Sequence, residues 1–153
     1  MNVALIWDHL SLVLSALILA VGVGVPLGLL AYLFPRFGKA ILWVVDLIQT
    51  VPALALLGII MVVMDPGSPT AVIGLTLYSL LPIVRNTSLG LSQVPEHLKE
   101  AATGMGMSGT YRLLHVEVPL AVPMLVTGIR IAAVNAIGRS EERRVGKECR
   151  SRW

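Results

Sequence analysis

From Leu10 to Pro35 the chain carries no charged residue. That run exceeds the ~20 apolar residues a membrane-spanning helix needs. In hydrocarbon every backbone N–H and C=O must be satisfied internally, so a single uncharged run of this length reads as a helix. A cleaved leader would have a basic start and an apolar stretch of only ~7–15 residues, whereas Met1–His9 contains no Lys or Arg. Gly22, Gly24, Pro26 and Gly28 lie inside the run. They would break a soluble helix, but in a membrane they permit close packing or a kink.

The rest of the chain repeats the pattern. Apolar stretches at 10–35, 41–64, 70–87 and 118–138 are separated by short polar connections. Over all 153 residues, 56% are hydrophobic and 14% charged, with a mean hydropathy of +0.81; average soluble domains are about 25% charged. The expectation is an all-α polytopic membrane protein with one membrane domain over 1–138. No internal repeat or low-complexity linker divides it.

The net charge of +3 does not imply nucleic acid or another anionic partner. Residues 139–153 hold six of the twelve Lys/Arg and three of the nine Asp/Glu, so the preceding chain is neutral. This tail, RSEERRVGKECRSRW, also holds the one cysteine, Cys149. It resembles the in-frame translation of a sequencing-library adapter and is set aside as non-native, with the natural protein expected to continue past Gly138. The alternative is a basic juxtamembrane segment that binds anionic lipid.

Between the third and fourth apolar stretches lies PEHLKEAATGMGMSGTYRLLHVEVPLAVP, from Pro95 to Pro123. Pro95 suits a helix start, and Glu96 and Glu100 favour the first turns. Ala101 and Ala102 are small, strong helix formers. Gly104, Gly106 and Gly109 permit a reversal, after which Ser108 is placed to cap a second short helix through Leu114. This describes either a docking knob or an ordinary helical hairpin. The spacing, Glu100-Ala101-Ala102, three residues, Gly106, nine residues, Val116-Glu117-Val118-Pro119, resembles the EAA loop of the membrane subunits of ATP-binding-cassette (ABC) importers, with valines replacing Ile and Leu. The resemblance implies a cytoplasmic coupling loop over 95–119 in which Glu100, Ala101, Ala102, Gly106 and Pro119 meet a separate ATPase.

Charge placement predicts the same orientation independently. Arg36 and Lys39, and the segment containing Arg85, Lys99 and Arg112, are basic; the N-terminus and the Asp65 turn have no Lys or Arg. Basic short loops face the cytoplasm. The N-terminus is therefore expected outside and residues 88–117 inside, in a bacterial-type plasma membrane.

No catalytic set stands out, and no metal or cofactor is expected. His9, His97 and His115 are scattered, and Gly104-Met105-Gly106 with Gly109 matches a dinucleotide glycine pattern without the strand that pattern requires. Charges and amides inside spans are better candidates, because they are costly in hydrocarbon. Asp46, Gln49 and Thr50 share a helix face by spacing; they face a translocation path or a dimer contact, or they cap neighbouring backbone. Pro52 frees a carbonyl at Ile48 and bends the second span. Arg130 lies roughly 16 Å beyond Pro119 at 1.5 Å per residue, inside the bilayer. It is expected to pair with a carboxylate, with Asp46 the named candidate, and to line the path.

The strings DLIQTVPALALLG (46–58), LYSLLPIVRNTSLG (77–90) and GMGMSGTYRLLHVEVPLAVPMLVTGIRIA (104–132) resemble permease subunits of osmoprotectant importers, which carry glycine betaine, choline or carnitine. The resemblance implies a pair of permease subunits, homo- or heterodimeric, with cytoplasmic ABC ATPases and an extracytoplasmic solute-binding protein. It also implies that this chain hydrolyses nothing and that specificity resides mainly in the binding protein. The competing readings are a permease for amino acids or methionine, a membrane-embedded enzyme, and a structural or sensory membrane protein with a docking loop.

Overall fold

A computed structural model describes the backbone of residues 3–150 and, residue 68 apart, side chains as far as Gly138. Seven α-helices follow in order: α1 (Val3–Leu33), α2 (Pro35–Thr50), α3 (Ala53–Val63), α4 (Ser68–Ser92), α5 (Glu96–Gly104), α6 (Gly109–Arg112) and α7 (Val118–Arg150), with a π-helical turn, Leu113–Glu117, joining the last two. No strand occurs among the described residues, as the all-α expectation requires. The side-chain expectations for 139–153, Cys149 included, lie outside the described residues.

Small residues set the architecture. Along α1 the buried positions Ala16, Ala20, Gly24 and Gly28 recur every fourth residue and form one stripe. That stripe lets α4 approach closely, and α1 with α4 is the most extensive helix pair, followed by α4 with α7. Gly28 shows how close the approach is: a Cβ there would stand 2.5 Å from the Thr87 Cβ and 2.8 Å from the Val84 carbonyl oxygen. Without a strong hydrophobic drive between helices in lipid, this intimacy is what holds them. Ala20, Ile83 and Ala132 form the centre of the three-helix contact. Large apolar side chains turn outward instead, with Val62 88% exposed. Such a surface suits lipid or partner subunits rather than water.

Three helical segments are long and apolar enough to cross a membrane, Val3–Leu33, Pro69–Ser92 and Gly109–Gly138; a fourth crossing requires α2 and α3 together. These two are bent by 97°, so the apolar stretch over 41–64 is broken into two helices. The cause is Pro52. It lacks the N–H for the Ile48 carbonyl and drives the preceding residue out of the helical region. Val51 is accordingly extended, at φ −76° and ψ 126°, and its own N–H closes on Ile48 O at 3.1 Å. The carbonyl of Val51 then accepts a hydrogen bond from the Tyr78 hydroxyl of α4. The predicted bend is present, and it is a corner held from outside.

The third span also runs further than its expected end at Arg85-Asn86-Thr87. α4 continues to Ser92, because Thr87 and Ser88 are buried against neighbouring helices rather than exposed in a loop.

Candidate functional site

The polar loop folds as a compact helix–turn–helix whose spacing has a mechanical reason. α5 ends in a Schellman arrangement: Gly106 N–H donates to Thr103 O at 3.0 Å and Met107 N–H to Ala102 O at 3.2 Å. This closure requires a left-handed residue four places after Ala102, and Gly106, at φ +85°, is the one residue of positive φ among the described residues. Ser108 accepts from Tyr111 N–H at 3.4 Å and caps α6. The second short helix does not stop at Leu114 as expected; it widens into the π-helical turn and passes directly into α7. Arg112 Nη1 ties α6 back to α5 through Thr103 Oγ1 at 2.7 Å.

Pro119 accounts for the π turn. Its ring would collide with the carbonyl one α-helical turn back, and it brings no N–H. Widening the turn relieves both problems, and Val118 N–H bonds five residues back, to Leu113 O. The wider turn also rotates Glu117 inward, leaving it only 2% exposed. Its Oε1 accepts from the Tyr32 hydroxyl at 2.5 Å and lies 3.6 Å from Lys99 Nζ; its Oε2 lies 3.8 Å from Arg112 Nε. Lys99 also stands 5.2 Å from the Tyr32 ring centroid and 3.9 Å from Glu96 Oε2. Tyr32 belongs to the end of α1, so one carboxylate, just before α7, gathers groups from α1, α5 and α6. Burial is the largest influence on the Lys99 ammonium and pushes its pKa down. The Tyr32 hydrogen bond and charge, with the charges of Glu117 and Glu96, outweigh it and leave the pKa raised.

The predicted coupling residues divide by face. Glu100, Ala101 and Gly106 are exposed, whereas Ala102 is 2% exposed and seats the helix. Pro119 is exposed and shapes the loop through its backbone. Asp46, Gln49 and Thr50 do share an exposed face of α2. Thr50 Oγ1 donates to Leu47 O at 2.6 Å, the backbone-capping alternative for that residue. The Asp46–Arg130 pair is not formed. Asp46 pairs instead with Arg85 of α4, which the sequence reading placed at the end of the third span. Arg130 is exposed on α7 and has no ion pair among the described residues. The continuation of α4 past Arg85 is the reason, since it brings that guanidinium alongside α2.

Sequence reasoning used Lys99 and Arg112 only as markers of the inner side and passed over Tyr32 and Glu117. The signal available was Glu117 itself, a lone acid between two valines at the start of an apolar helix. Its partners, up to 85 residues distant in sequence, left no local pattern.

Residues 12–140 match the family described as binding-protein-dependent transport system inner membrane component. The chain belongs to that family. This inner membrane component is 40% identical over 131 residues to the carnitine transport permease protein OpuCB of Listeria monocytogenes, covering 86% of this chain and 60% of the relative. It is 41% identical over 130 residues to the choline transport system permease protein OpuBD of Bacillus subtilis (strain 168), covering 85% and 58%. It is 42% identical over 132 residues to the osmoprotectant import permease protein OsmY of Salmonella typhimurium, covering 85% and 56%. The chain thus spans less than two thirds of the length of these relatives. Among solved structures, the MetNI methionine ABC transporter in an inward-facing conformation superposes with a TM-score of 0.78 at 22% identity, over 92% of this chain and 74% of that one. At that identity the match is one of fold, and it supports the helical permease architecture.

Proposed function

We propose that the chain forms the membrane-spanning part of an ABC importer permease for osmoprotectants such as glycine betaine, carnitine or choline, driven by a separate cytoplasmic ATPase. One observation carries the reading: the loop over 95–119 is a rigid knob with a solvent face, Glu100, Ala101 and Gly106, and a root buried through Ala102 and Glu117. A knob exposed on one side and anchored on the other suits a contact that must bear load. The substrates for which the relatives are named favour quaternary amines over methionine, because the methionine transporter shares the fold at only 22% identity.

In this reading the N-terminus lies outside and residues 88–117 face the cytoplasm. A second permease subunit and an extracytoplasmic solute-binding protein complete the assembly, with lipid around the outward apolar side chains. The exposed face of Asp46, Gln49 and Thr50, and that of Arg130, meet the translocation path or the second subunit.

The test is co-purification and uptake in the complete permease. Gly106→Leu is expected to abolish recovery of the ATPase, because leucine is strained at positive φ. Uptake of labelled glycine betaine, but not of methionine, is expected for the unsubstituted transporter. Methionine uptake alone, or labelling of a probe at Thr103 from outside intact cells, would sink the reading.

A further inference from the structure

Resting on the coupling role of the loop, we propose that Glu117 is a positioning residue that ties the loop to the first transmembrane helix, so that movement of α5 reaches α1 as well as α7. The loop needs no special device to move α7, because α6, the π turn and α7 are continuous backbone. α1 is a different matter. α5 packs mainly on α6 and the π turn, and its link to α1 runs through side chains: Lys99 to Tyr32, and both to Glu117.

The geometry of that link suits a moving part. Tyr32 donates a hydrogen bond to Glu117 Oε1 and so joins α1 to the root of α7. The two loop cations sit further off, Lys99 at 3.6 Å and Arg112 at 3.8 Å, beyond the ~3.2 Å limit of a good hydrogen bond. Arg112 Nε is buried with no hydrogen-bond partner, which is costly where water is excluded. A displacement of α5 and α6 by less than about one hydrogen-bond length seats either cation on the carboxylate. The same displacement transfers the loop's motion to the α1–α7 joint. Neutralising Glu117 leaves the loop covalently attached but removes the group on which both cations converge.

The experiment uses the complete permease with its ATPase and solute-binding protein, reconstituted into proteoliposomes. Three quantities are measured: ATPase recovered with the permease, ATP hydrolysed, and solute taken up per ATP. Glu117→Gln preserves shape and an acceptor for Tyr32. It is expected to retain bound ATPase while uptake per ATP falls about tenfold, within the usual range of coupling between sites. Lys99→Met, a change on the loop side that spares the root of α7, is expected to act in the same direction. The double variant is expected to fall no further than Glu117→Gln alone, because both act through one contact.

Unchanged uptake per ATP in both single variants would overturn the proposal. So would losses that track the loss of bound ATPase, or effects of the two substitutions that multiply independently. Failure of the functional reading is separately visible in the unsubstituted transporter. If that protein binds no ATPase, both ideas fall; if it binds one and imports a different solute, the substrate assignment falls and the positioning role stands.

Discussion

Two acids, Asp46 and Glu117, each face an arginine, and their surroundings could hardly differ more. Asp46 meets Arg85 with the two side chains 49% and 51% exposed. Glu117 is 2% exposed and shared among Tyr32, Lys99 and Arg112. The first pair joins two neighbouring helices on the face assigned to the translocation path or a second subunit, and where water reaches that face screening leaves little net attraction. The second sits where several elements converge and must be satisfied internally or not at all. Position relative to solvent, rather than opposite charge, decides which of the two organises the molecule.

The contrast breaks most readily at Glu117. Glu117→Ala takes the carboxylate from Arg112 and leaves Lys99 only Glu96, 3.9 Å away, and is expected to lower unfolding stability by about 3 kcal/mol, read as a drop in Tm of the detergent-solubilised protein. A change within a few tenths of a kcal/mol would make the cluster ornamental. Tyr32→Phe keeps the ring and deletes one bond to a charged group, for an expected loss of about 2 kcal/mol by the same measurement. Asp46→Asn is expected to cost less than about 1 kcal/mol in the isolated chain and to lose its effect at high salt. A cost of the Glu117 size appearing only in the assembled transporter would locate Asp46 in a contact with another subunit. Smallest is the pH dependence contributed by Lys99. Its pKa is raised in the fold, so its contribution is complete through neutral pH. That contribution fades as pH rises above the ordinary lysine range toward the raised value. Tm across an alkaline series should show a decline that Lys99→Met lessens.

The prolines carry the same lesson about context. Pro52 and Pro119 remove the same N–H and threaten the same collision, yet one makes a 97° corner and the other a π turn inside a continuing helix. At Pro52 the Tyr78 hydroxyl captures the Val51 carbonyl and holds the corner. At Pro119 the following helix packs at once through buried Ala121 against Leu91 and Leu113, so the chain widens a turn and stays on course. Pro26, Pro82 and Pro123 sit inside helices without ending them. A proline therefore announces a missing bond, and its neighbours in space choose the remedy.

Much of the loop was legible from residues alone. Glu100-Ala101-Ala102 and Gly106 have a spacing whose cause is local: a helix end needs its left-handed residue at a set distance, and glycine supplies it. In α1 the glycines Gly24 and Gly28 marked a place for close packing or a kink, whereas the stripe they form with Ala16 and Ala20 came from the structure. The partner of Asp46 was not. Choosing Arg85 over Arg130 depended on α4 running on to Ser92, which no pattern of apolar residues within α4 announces.

By itself the chain's chemistry determined an all-helical protein built for a membrane, with a glycine-closed loop, because hydrophobic runs, caps and turns act over a few residues. Tertiary structure alone decided that Glu117 lies beneath that loop with Tyr32 above an 85-residue separation, and that Asp46 belongs to Arg85. Ion pairs between distant residues depend on where whole helices come to rest, and that is a sum over packing that no short stretch contains.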